Sequence, residues 1–159
     1  MILALLGLAL YKALILAAVA VPRFVTTRTD AQVAMARSDI ASTLKAIPAR
    51  VFAENLDPTA STPSGFSNWG EWMIDTGGLD RGRWAASDNN IYPIISSSSS
   101  TNDSSGPCGT NLINIDTAGN LNFDPNNNIT VPTGDGKTFC ETLKNSYPSG
   151  SNRVIPHPF

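Results

Sequence analysis

At 159 residues with a formal net charge of −2, the chain is long enough for one modest domain with a buried core, and too nearly neutral to make nucleic acid its main partner. The averages conceal a division. Residues 1–54 hold six Lys or Arg (12, 23, 28, 37, 45 and 50) against Asp30, Asp39 and Glu54, a balance of +3, whereas the remainder holds five basic residues against ten acidic ones, a balance of −5. A cationic rod joined to an acidic head would attract its own copies, although ordinary surface charge accounts for the same split.

From Met1 to Val21 the only charge is Lys12. About twenty apolar residues in helical form span roughly 30 Å, the thickness of a bilayer's hydrocarbon core. A cleaved signal peptide would need a basic n-region and a shorter apolar core. The expectation is therefore a retained anchor over residues 1–22. After Pro22 the helical pattern resumes, with Val33, Ile40, Leu44, Ile47 and Val51 forming one apolar stripe while Asp30, Arg37, Lys45 and Glu54 lie largely off it. This predicts a single helix over about 1–54, its second part (23–54) amphipathic. Pro22 and Pro48 should each kink or loosen it locally.

Residues 55–90 read as a loop region rich in Trp. NLDPTASTPSG is turn text, and the stretch after it holds all three tryptophans, Trp69, Trp72 and Trp84. Trp69 and Trp72 would share one side of a short helical turn, which points to a small core or a subunit interface, with sugar or peptide binding as the lesser alternative.

Residues 91–159 read as an antiparallel β head. Candidate strands are 91–95, 111–116, 120–123 and 129–131, with TAG between the second and third as a hairpin turn. The serine-rich tract after the first is a low-complexity loop. Asn102-Asp103-Ser104 and Asn128-Ile129-Thr130 match the N-glycosylation triplet. The two cysteines, Cys108 and Cys140, lie beyond a membrane anchor, where a disulfide is favoured over two free buried thiols. The fold class is thus α+β: a long N-terminal helix packed on a small antiparallel sheet.

No catalytic constellation assembles. His157 stands between two prolines without a ligand partner at useful spacing, and no phosphate loop, GxSxG or CxxC occurs. Asp116, Asp124 and Asp135 fit turns better than a calcium loop. The expectation is a protein that is not an enzyme and has no cofactor and no metal site.

The string ILAAVAVPRF, Ile15 to Phe24, resembles the conserved end of the N-terminal segment of type IV pilins and type II secretion pseudopilins. The likeness extends along TDAQVAMARSDIASTL to about residue 47. It implies a mature, leader-free chain with Pro22 in the family's register and Met1 at the place of the usual N-methylated phenylalanine. It also implies a head with a late disulfide bounding a loop, which Cys108 and Cys140 would supply. The family's function implies a homopolymer that waits in the inner membrane, is extracted by pilus assembly machinery, and becomes a surface filament used for adhesion, motility or DNA uptake. Met1, Leu5, Ile15, Leu16, Val19, Val21, Pro22 and Phe24 would lie in its core.

Residues 1–14 depart from that pattern. The family places a glutamate where Leu5 stands, to neutralise the buried terminal amine of a neighbour, and Lys12 adds a positive charge to the same bundle. A minor or tip subunit, a divergent major pilin, and a first segment that is not the native one each account for this. A secretion pseudopilin and a monomeric membrane-anchored binding module using the tryptophans are the remaining rivals.

Overall fold

The computed structural model describes residues 29–94, 108–134 and 136–158. The predicted anchor over 1–22, the Pro22 seam and the serine-rich tract lie outside these residues. Among the described residues no helix is long and apolar enough to cross a membrane.

The architecture is α+β. Helix α1 covers residues 29–54 and runs through Pro48 without a break in its helical assignment. Val33, Ile40, Leu44, Ile47 and Val51 are all buried, as the periodicity predicts, with Ala36 and Thr43 completing the stripe. The helix ends on Asn55, whose φ of 50° is left-handed. Leu56 N–H bonds to Val51 O and Asn55 N–H to Phe52 O, a Schellman closure in which Leu56 packs on the core.

The tract 55–90 contains two regular elements. Helix α2 (Trp69–Gly77) is capped by Asn68, whose side chain accepts from Glu71 N–H, and it closes on Gly78 at φ 59°. Strand β1 (Trp84–Ser87) follows. Gly70 is a packing requirement: a Cβ there would meet the carbonyl oxygens of Asp88 and Asn90 at 2.7 Å each. Its absence lets the first turn of α2 sit on the β1–β2 turn, where Gly70 N–H bonds to Asp88 O at 2.8 Å.

Strands β2 (Asn90–Pro93), β3 (Ile113–Ile115), β4 (Leu121–Phe123) and β5 (Arg153–Ile155) complete a five-stranded sheet in chain order, every pair antiparallel. Register aligns Ala86, Ile91, Ile113, Phe123 and Arg153 in one row across it. Ile91, Ile113 and Phe123 are buried in the same cluster as the α1 stripe. Arg153 therefore ends an apolar row on the core side of an edge strand, while Val154 points the other way and is 63% exposed.

Three predicted strands are present. The fourth, 129–131, is not a strand: Ile129 is the buried C-cap of helix α3 (Pro125–Asn128), which Asp124 caps. Helix α4 (Lys137–Asn145) buries Phe139, Cys140 and Leu143. Cys108 and Cys140 form the disulfide, with Cα atoms 5.3 Å apart, so α4 is bonded to the segment leading into β3.

The TAG turn does join β3 to β4. Asp116 organises it, accepting from Ala118 N–H, Asn120 N–H and the side-chain amides of Asn120 and Asn122 at 2.9–3.1 Å. Partial burial pushes the Asp116 carboxyl up, but these four donors together outweigh it and hold the group below its ordinary value of 3.8. Asp116 and Asp124 are thus committed to a turn and a cap; Asp135 lies outside the described residues.

Two outcomes are expected. Cys108→Ser or chemical reduction should remove about 3–4 kcal/mol of stability, by the loop-closure entropy of a 32-residue separation, read by denaturant titration of oxidised and reduced protein. Asp116→Ala should cost about 1–3 kcal/mol at neutral pH. Because the folded-state pKa is depressed, this difference should be full above pH 3.8 and shrink as pH falls further, which unfolding curves at several pH values would check.

Candidate functional site

Of the residues singled out from sequence, Met1, Leu5, Ile15, Leu16, Val19, Val21, Pro22, Phe24, Asn102 and Ser104 lie outside the described residues. Asn128 is half-buried at the end of α3. The tryptophans face inward: Trp69 and Trp72 are 1% exposed and Trp84 is 2% exposed. Trp69 and Trp72 meet edge to face with centroids 5.2 Å apart. The Trp69 indole N–H donates to Ala60 O at 2.7 Å. Trp69 and Trp72, so enclosed, offer no stacking face to a sugar or peptide, whereas Trp84 borders a groove.

The surface of α1 carries more information. With its stripe buried, the helix turns outward a face bearing Ala31, Ala34, Met35, Ala41, Ala49, Phe52 and Ala53, with Ser38, Ser42 and Lys45 among them, all exposed. Phe52 is 85% exposed and Met35 49%. A helix face that remains in water is ordinarily charged or polar. An outward face of small residues with one charge, Lys45, and a protruding phenylalanine has the composition of a helix–helix contact.

Polar bonds tie α1 to its neighbours at its middle and near its C-terminal end. Arg50 pairs with Glu54 at 2.9 Å and with Asp75 at 2.8 Å, and donates to Thr76 Oγ1 at 2.9 Å, tying α1 to α2. Its hydrogen bond to Asp75, then that to Glu54, raises its pKa. The same guanidinium lies 5.3 Å from the Trp72 ring centroid. On the β1 side, the Trp84 indole N–H donates to Asp39 Oδ2 at 2.9 Å.

Two grooves flank α1. The first, of about 280 Å3, lies between Met35, Ala36 and Asp39 on the helix and Arg83, Trp84 and Phe139 opposite. Arg83 stands 3.7 Å from both Asp39 and Asp80, while its Nε and Nη1 are buried without a hydrogen bond. The second, of about 400 Å3, opens on the other side of the helix, between Arg37, Ile40 and Ala41 and the 147–153 segment. Arg37 lies 4.9 Å over the Tyr147 ring, which itself meets Phe123 edge to face at 5.3 Å. Burial raises the Tyr147 phenol pKa, with Arg37 opposing. Asn126 shapes this wall, donating to the carbonyls of Tyr147 and Pro148 and accepting from Ser151 N–H.

Among the described residues no three His, Cys, Asp or Glu side chains gather to hold a metal ion. No family model, curated protein or solved structure matches the chain.

Asp39→Ala should leave the Trp84 indole N–H without its buried acceptor and deprive Arg83 of a carboxylate. A loss of about 1–3 kcal/mol is expected, with a shifted tryptophan emission, measured by fluorescence-monitored unfolding.

Proposed function

We propose that the chain is the structural subunit of a bacterial type IV pilus, polymerising helically through its N-terminal apolar helix into a surface filament. The observation that carries this reading is the outward face of α1. It carries Phe52 and several alanines, exposed and without a partner among the described residues. The ILAAVAVPRF string supports the same assignment by its likeness to pilins. So does a head whose disulfide joins Cys108 to Cys140.

In this reading the segment before α1 is stored in the inner membrane and is drawn by assembly machinery into the filament core. There Ile15, Leu16, Val19, Val21 and Phe24 bury against the same residues of neighbours. Apolar burial, at about 25 cal/mol per Å2, drives the step, and Pro22 allows the helix to loosen as neighbours pack. Adhesion, motility and DNA uptake are the uses such a filament would serve. Leu5 and Lys12 favour a second reading, a secretion pseudopilin or minor subunit, because neither supports the charge neutralisation expected of a major pilin.

The test uses cells that make the protein. Phe52→Glu should leave unfolding within about 0.5 kcal/mol of wild type, as for an exposed site. It should nevertheless lower the yield of sheared fibre about tenfold or more, since each subunit would lose a buried phenylalanine contact worth about 1.5–3 kcal/mol. Undiminished fibre from the variant would contradict an assembly role for this face.

A further inference from the structure

Five arginines fall among the described residues. Arg50, Arg81 and Arg83 each have a carboxylate within ion-pair distance. Arg37 and Arg153 have none among the described residues, and these two line the same groove of about 400 Å3. Their convergence has a structural cause. Arg37 borders the α1 stripe, and Arg153 ends the apolar row of the sheet on its core side, so both point into the channel between helix and β5. The groove is therefore basic at its rim and apolar at its floor, where Ile40, Leu44 and Phe123 lie.

Most described carboxylates are already engaged. Asp39, Glu54, Glu71, Asp75 and Asp80 pair with arginines. Asp57, Asp116 and Asp124 accept local hydrogen bonds. Asp30, Asp88 and Glu141 remain, all exposed, and of these Asp88 lies on the turn between the two strands farthest from β5. It is exposed on the β1–β2 turn in a left-handed conformation (φ 50°), and its carbonyl is pinned by Gly70 N–H. It stands at the β1 end of the sheet, whereas the basic groove stands at the β5 end.

We infer that the groove between α1 and β5 is a contact surface for a second copy of this chain, with Arg37 and Arg153 receiving Asp88 on the β1–β2 turn of the next subunit. A groove at one end of a sheet and a carboxylate at the other form a heterologous contact, which builds an open helical filament where its rotation does not close into a ring. Opposite charges set its register. The inference rests on the filament reading and names how its outer layer docks.

Charge reversal in the full chain, expressed in its own cells, tests it. Arg153→Glu alone and Asp88→Arg alone should each lower the sheared-fibre yield about tenfold or more, the size expected of an interfacial charge pair. The two reversals in one chain should restore fibre to within about threefold of wild type, a recovery that misfolding cannot give. Fibre lost in Arg153→Glu but not regained in the double variant, or regained with Glu141→Arg in place of Asp88→Arg, overturns the contact while wild-type fibre still upholds the filament. Wild-type cells that shed no fibre overturn both.

Discussion

Everything in this structure depends on one buried stripe. Val33, Ala36, Ile40, Leu44, Ile47 and Val51 run along α1 and enter the same cluster as Ile91, Ile113, Ile115, Leu121 and the three tryptophans. A stripe of this kind occupies only part of a helix's circumference. The head covers that part and leaves the rest, so one helix simultaneously supplies the core of its own domain and a long outward face. The alanines on that face keep the helix thin, which permits close approach of another helix.

Polar pairs fix how the helix sits. Asp39 engages Trp84 at 2.9 Å and Arg50, three turns further along the same side of α1, engages Asp75 at 2.8 Å. The Asp39–Trp84 bond lies in the wall of the first groove. The basic groove depends on a further layer, because Asn126 holds the 147–151 backbone and Tyr147 stacks between Arg37 and Phe123. The disulfide contributes at a distance: by tying α4 to the segment entering β3, it restrains the chain that returns to form β5.

Much of the fold could be read from residue patterns, and the misses have identifiable causes. The α1 stripe showed clear helical spacing, and β2, β3 and β4 showed apolar residues flanking a turn. Strand β1 did not, because WAAS has no β-branched residue; it is a strand through pairing with β2. RVI is too short to signal β5. Helix α3 carried a signal that was available, an Asp124 cap followed by Pro125 at the first position, but its asparagines obscured it. Helix α4 buries only Phe139, Cys140 and Leu143 in a polar sequence, so the half-loop enclosed by the cysteines concealed a helix. The tryptophans were legible as core candidates. The arginine groove was not legible, since 116 positions separate Arg37 from Arg153 and only the strand register brings them to one side.

In the filament reading proposed above, the outward face of α1 and the apolar residues 15–24 both contact neighbouring subunits. Cryo-electron microscopy of material sheared from cells making the chain tests this most directly, at side-chain detail. The expected result is a helical fibre with residues 15–24 along its axis and Phe52 enclosed against a neighbouring subunit. A chain recovered only as a membrane-bound monomer, or a fibre in which Phe52 faces bulk water, would contradict it.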